Sequence, residues 1–117
     1  MNVESIREYC LSKPGSFDCF PFDEETLVFK VVKKIFAIVP LEKKGRIALK
    51  CDPERAIELR EHYDGITPGW HLSKKHWNDV DFQIVDGPLV RELIDHSYAL
   101  VAKSLKKVDR ETLESLE

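Results

Sequence analysis

The sequence predicts an α+β domain in which an antiparallel β-sheet of about five strands, a meander followed by a second hairpin, packs against helices. Three observations carry this. Residues 26–32 and 35–39 are rich in β-branched and aromatic side chains, and in 46–50 Ile47 and Leu49 alternate with Arg46, Ala48 and Lys50, the content and two-residue period of strands. Residues 86–105 repeat apolar side chains at spacings of three and four, the period of an amphipathic helix. With 117 residues and 43% hydrophobic content, the chain suits one compact domain, residues 1–117, burying roughly two-thirds of its unfolded surface.

Val3, Ile6, Tyr9 and Cys10 recur at helical spacing over residues 2–13, with Asn2 as a cap and Pro14-Gly15 as the stop. Residues 16–25 hold turn formers and three phenylalanines without a helical period, which predicts a loop held to the core by Phe17, Phe20 and Phe22. Residues 26–32 and 35–39, separated by Lys33-Lys34, read as a hairpin. Leu27, Phe29 and Val31 share the covered face, and Val28, Lys30 and Val32 lie nearer solvent. After a turn over residues 40–45, Ile47 and Leu49 alternate with Arg46, Ala48 and Lys50 in a third strand.

Asp52-Pro53-Glu54 is a helix start, because Asp52 can accept from an orphan amide and Pro53 suits the first helical position. That helix runs to Tyr63, with Ala56, Ile57 and Tyr63 on its apolar side. Residues 66–85 return to strand-like content, interrupted by Ser73-Lys74-Lys75 and closed by alternating Val80, Phe82 and Ile84. Asp86-Gly87-Pro88 opens the longest helix, whose stripe is Val90, Leu93, Ile94, Ser97, Tyr98, Val101 and Leu105. Asp109 is placed as the cap of a last short helix ending at Leu116.

Charge and cysteine content narrow the functional classes. No apolar run approaches the ~18–20 residues that span a bilayer, and the segment starting Met-Asn-Val-Glu-Ser-Ile-Arg-Glu is charged where a secretory signal is apolar. A cytoplasmic protein without a membrane partner is the expectation, and a monomer is favoured. Cys10, Cys19 and Cys51 are odd in number and form no C-x-x-C, so they read as small hydrophobes. Net charge is −3, from 18 basic and 21 acidic residues. Residues 26–51 nevertheless carry seven of the basic residues against Glu42 alone, leaving eleven basic and twenty acidic residues elsewhere. Such segregation creates a local positive field.

No catalytic motif is present: there is no G-x-S-x-G, no phosphate-cradling G-x-x-x-x-G-K-[ST] and no H-E-x-x-H. The reading is therefore of a protein that is not an enzyme and needs no cofactor. His71 and His76, five apart, would point to opposite faces of a continuous strand and have no ligand-spaced Cys, Asp or Glu beside them, so no metal site is expected. The basic residues concentrate at turns: Lys33-Lys34, then Lys43, Lys44 and Arg46, then Lys74-Lys75. There they can meet phosphates without being desolvated, which favours nucleic acid as the partner. The alternative is a protein-interaction or small-ligand module in which Trp70, His71, His76, Trp77 and Asn78, within the dense run Pro-Gly-Trp-His-Leu-Ser-Lys-Lys-His-Trp-Asn, form a contact patch.

Leu-Lys-Cys-Asp-Pro-Glu at 49–54, Thr-Pro-Gly-Trp-His-Leu-Ser-Lys-Lys-His-Trp-Asn at 67–78 and Leu-Ile-Asp-His-Ser-Tyr-Ala-Leu-Val at 93–101 together resemble the MmcQ/YjbR family over nearly the whole chain. The resemblance implies a CyaY-like fold and a DNA-binding protein with a double-wing arrangement, and it brings no catalytic residue. Residue 70 is Trp where the resemblance leads one to expect Tyr, which keeps an aromatic surface there. Frataxin-like topology also suggests iron, but the first helix offers only Glu4 and Glu8 and the hairpin that follows is basic, so iron is set aside.

Overall fold

The computed structural model describes residues 1–43 and 45–116. In chain order the elements are α1 (Val3–Leu11), β1 (Ser16–Cys19), β2 (Thr26–Val31), β3 (Lys34–Pro40), β4 (Arg46–Lys50), α2 (Pro53–His62), β5 (Ile66–Pro68), β6 (Trp77–Asp81), α3 (Gly87–Lys103) and α4 (Lys107–Leu116). The strands form one six-stranded sheet in the order β1-β2-β3-β4-β6-β5, with every neighbouring pair antiparallel. This is the expected α+β fold with one strand more than the sequence indicates.

The caps are those the sequence carries. Asn2 Oδ1 accepts from the Ser5 N–H at 2.8 Å while Ser5 Oγ accepts from the Asn2 N–H at 2.9 Å, a reciprocal capping box. The side chains of Asp52 and Asp86 accept from Arg55 and Leu89 N–H, each followed by a proline in the first turn.

The core lies between one sheet face and the helices. Leu27, Phe29 and Val31 of β2, Val39 of β3, Ile47 and Leu49 of β4 and Val80 of β6 bury against Val90, Leu93, Ile94 and Val101 of α3 and Ile6 and Cys10 of α1. A bulge beside Phe29 lets two successive residues of β3, Phe36 and Ala37, both be fully buried. The Phe36 ring then stands edge-on to Tyr98, with centroids 5.4 Å apart. The β3–β4 ladder pairs Ala37 with Leu49 and goes no further in that direction. There Ser97 of α3 takes its place: its hydroxyl donates to the Phe36 carbonyl at 2.6 Å and accepts from the Lys50 N–H at 2.9 Å. A serine in the middle of an otherwise apolar helix stripe thus satisfies two buried backbone groups.

Four expectations are corrected. Residues 16–19 are a strand, and Phe17, Phe20 and Phe22 are 43%, 49% and 66% exposed, so they do not anchor a loop in the core. Strand β1 is a sheet edge held by backbone pairing to β2, with Phe17 opposite Lys30 on the face away from the helices. Strand β6 ends at Asp81, whose Oδ1 accepts from the Gln83 N–H at 2.9 Å. The resulting turn sends Phe82 and Val85 inward and leaves Ile84 exposed. Helix α2 buries Ala56 and Leu59, whereas Ile57 and Tyr63 are exposed. Asp109 is not a cap; it sits in the first turn of α4, buried, and pairs with Lys33 at 3.6 Å.

His96 joins two elements and makes stability pH-dependent. Its Nε2 accepts from the Asp52 N–H at 3.1 Å, tying α3 to the start of α2. Burial, with Arg55 beside it, holds the imidazole below its ordinary value of 6.5. The neutral form is therefore favoured on folding, so this contribution is complete above the unfolded value and is lost as pH falls through the lowered folded one. Denaturant midpoints measured from pH 7.5 to 5 are expected to drop, and His96→Gln is expected to flatten that part of the profile.

Candidate functional site

The helices cover one face of the sheet, and the other is half exposed. On that outer face the register aligns Val28, Ile38, Ala48, Asp79 and Thr67 in a row across β2, β3, β4, β6 and β5. On one side of the row stand Thr26 opposite Pro40 and Arg46 opposite Asp81; on the other stand Phe17 opposite Lys30 and Lys50 opposite Trp77. Lys30 and Lys50 thus each stand opposite an aromatic ring, and Arg46 opposite a carboxylate, on a surface that none of the described helices covers.

The segment between β5 and β6 gives this face its shape. Gly69 N–H donates to the Trp77 carbonyl at 2.9 Å, and a Cβ at Gly69 would stand 2.9 Å from Trp77 Cβ; only glycine permits so close a return. The next amide, Trp70 N–H, donates to Asp79 Oδ2 at 3.3 Å, and His71 follows in the left-handed region with φ of 58°. The segment thereby bends over the outer face. Lys43 Nζ lies 4.3 Å from the centroid of the Trp70 ring, a cation–π distance, and the His71 ring meets Trp70 edge-on at 4.6 Å.

The result is a cleft of about 290 Å³ with Ile38, Ala48 and Asp79 at its floor. Phe22 lines it from the β1–β2 side, and Trp70 and Leu72 from the β5–β6 side. Asp79 is 9% exposed, and among the described residues the Trp70 N–H is the one hydrogen bond its carboxylate receives. Burial pushes its carboxyl above the ordinary value, opposed by the Trp70 amide and by the charges of Arg46 and Lys43. The site thus has apolar walls, an acceptor at the floor and cations at the rim.

The residues singled out by sequence divide into groups. Lys43 and Arg46 stand beside the cleft, while Lys44 lies outside the described residues. Lys74, Lys75 and His76 are exposed on the β5–β6 segment, and Trp77 is half-buried on the outer face. Asn78 does not belong to the contact patch: strand alternation puts it on the inner face at 2% exposure, with Nδ2 donating to the Ala56 carbonyl at 3.3 Å. Lys33 and Lys34 point to the helices, Lys33 to Asp109 and Lys34 Nζ to the Ser104 carbonyl at 2.8 Å. Since Ser104 caps the C-terminus of α3, Lys34 complements the helix dipole, an effect of about 0.3–1 kcal/mol. Lys34→Ala is expected to lower stability in urea by that amount and to leave oligonucleotide affinity within about twofold, because Lys34 is engaged away from the cleft.

The sequence assigns none of Asp79, Phe22, Lys30 and Lys50 to the site: Phe22 reads as a loop anchor, and Lys30 and Lys50 as outward-facing strand residues. Asp79 had one available signal: alternation along residues 77–81 puts it on the same face as Trp77. Among the described residues, no group of three or more His, Cys, Asp or Glu gathers to hold a metal ion, and no helix is long and apolar enough to cross a membrane. Burial pushes the Cys10 thiol up to about 12 and raises that of Cys51, so neither supplies a thiolate near neutral pH.

Comparison with known proteins fits this architecture. The family model YjbR matches residues 11–100. The chain is 36% identical to YbdF of Escherichia coli O157:H7 over 110 residues, covering 92% of this chain and 89% of that one. It is 31% identical to YjbR of Escherichia coli strain K12 over 121 residues, covering 99% and 100%. A crystal structure of a Deinococcus radiodurans protein with the family-model domain DUF419 superposes with a TM-score of 0.87 at 42% identity, covering 97% of this chain and 88% of that one. A crystal structure of a Pseudomonas syringae protein superposes with a TM-score of 0.74 at 27% identity, covering 86% and 99%.

Proposed function

The chain belongs to the YjbR family, and we propose that it binds nucleic acid, single-stranded DNA in particular, across the outer face of its sheet. The observation that carries this is the Lys43–Trp70 pair beside a sheet face on which Lys30 stands opposite Phe17, Lys50 opposite Trp77 and Arg46 opposite Asp81. Exposed rings offer stacking surfaces to unpaired bases, and neighbouring cations offer phosphates a partner. Lys74 and Lys75, exposed on the segment that carries Trp70, extend the basic track. Lys33 and Lys34, engaged with the helices, are left out of the contact surface. No step of catalysis, no metal and no cofactor enters this reading, which takes the protein to be a cytoplasmic monomer.

Both tryptophans lie at this face, so intrinsic fluorescence reports on it. Titration with a dodecamer of deoxynucleotides at low salt is expected to quench emission saturably, and a Trp70→Phe variant is expected to lose most of that signal. Unchanged emission with no retardation on a gel would reject the proposal. A second reading, a mononucleotide-sized ligand, is favoured by the enclosure of the cleft between Phe22 and Trp70. Length dependence separates the two: on the oligonucleotide reading, affinity rises from a mononucleotide to the dodecamer; on the small-ligand reading it does not.

A further inference from the structure

We propose that the cleft beneath Trp70 reads a single unpaired guanine, with the Asp79 carboxylate accepting from its Watson–Crick edge. The inference rests on the nucleic-acid reading above and adds base preference to it. Asp79 is buried on a strand face, yet no described cation lies close enough to form an ion pair with it. The one hydrogen bond it receives among the described residues, from the Trp70 N–H to Oδ2, leaves acceptor capacity on both oxygens, since an ionised carboxylate offers about four lone-pair sites. A buried acceptor of this kind, facing a cleft large enough for a planar base, calls for a ligand that presents donors.

The surroundings restrict what that ligand can be. A cationic ligand meets Lys43 and Arg46, whose charges already reach Asp79, and Lys43 already occupies a place over the Trp70 ring. The matching ligand is neutral and donor-bearing at the floor, planar against Trp70 and Phe22, and anionic at the rim, which describes a nucleotide. Among the bases, guanine alone presents two adjacent donors, N1–H and the 2-amino group, to a carboxylate. Adenine and cytosine place a ring-nitrogen acceptor beside their amino group, and thymine flanks its N3–H with two carbonyl oxygens. Each of these sets a lone pair against the carboxylate of a residue that is only 9% exposed, so the mismatch is penalised more than at a fully exposed site.

The test uses the wild-type protein and oligothymidylate dodecamers carrying one central guanine, inosine, adenine, cytosine or xanthine. The guanine oligomer is expected to bind about tenfold or more tightly than the inosine oligomer, which lacks only the 2-amino group. In Asp79→Asn the amide presents one acceptor and one donor, complementary to the N1–H and 2-oxo group of xanthine. That variant is expected to lose the guanine preference and bind the xanthine oligomer best. If wild type binds all five oligomers equally, the base-reading inference is overturned while the nucleic-acid reading stands. If it binds none at low salt, the nucleic-acid reading itself falls. Circular dichroism of Asp79→Asn checks that the variant is folded, and the wild-type series decides the matter without it.

Discussion

Trp70→Ala weakens single-stranded DNA binding by roughly 5- to 150-fold, the equivalent of the ~1–3 kcal/mol that base–aromatic stacking contributes per base. The same change leaves the protein nearly as stable as wild type, because Trp70 is 63% exposed and its hydrogen bond to Asp79 is made by the backbone amide. Trp70→Phe restores most of the affinity, since a flat ring remains. The position is informative because structure and binding separate there. Trp77, half-buried and in contact with Gly69, does not separate them, and Trp77→Ala is expected to lower both. Paired isothermal binding and urea denaturation measurements on these variants give the comparison directly.

Reversing Lys43 and Arg46 to Glu has the second large effect, and it is recognisable by its salt dependence. With about four cations at the strand, log K falls against log salt with a slope of roughly −3, at ~0.7 per phosphate for single strands. Losing two contacts brings the slope to about −1.5, and between ~1 M and ~50 mM salt that difference corresponds to roughly 50- to 100-fold in affinity. The reversed charges add repulsion to this loss. Lys33→Glu with Lys34→Glu, equal in charge change, is expected to leave the slope almost unaltered, since those side chains reach toward Asp109 and Ser104. A global electrostatic effect would move both double variants alike; a located site moves one.

Where the sequence was legible, one physical signal acted locally. Helix α3 shows its period over the whole element, and Asn2, Asp52 and Asp86 cap their helices through contacts three residues away. The meander was readable because β2, β3 and β4 are short runs separated by lysine-bearing turns, although Val28, Ile38 and Ala48 put apolar side chains on the outer face as well, and Val28, expected nearer solvent, is fully buried there. Strand β1 was not, because an edge strand held by its backbone partner needs no apolar alternation of its own, and Ser16-Phe17-Asp18-Cys19 has little. The three phenylalanines misled for a related reason: aromatic content implies burial on average, but here the inner face is already filled by residues from α1 and α3.

The site was half legible. The crowding of Trp, His and Lys in residues 68–78 marks a surface that contacts something, and Lys43 and Arg46 stand out by local charge. Their convergence depends on the sheet order, which places β6 beside β4 and so brings the Trp70 segment within reach of the β3–β4 turn. No local pattern encodes that adjacency. Asn78 and Asp79 show the limit well: they are neighbours in the chain, one faces the helix layer and the other the cleft, and only the strand register tells which.

The most direct measurement is the equilibrium binding of wild-type protein to a single-stranded dodecamer, compared with the matching duplex, at a series of salt concentrations. Saturable binding is expected at low salt, tighter for the single strand, with log K falling at a slope of roughly −3. No binding at ~20 mM salt, or binding that is indifferent to salt across the series, would contradict it.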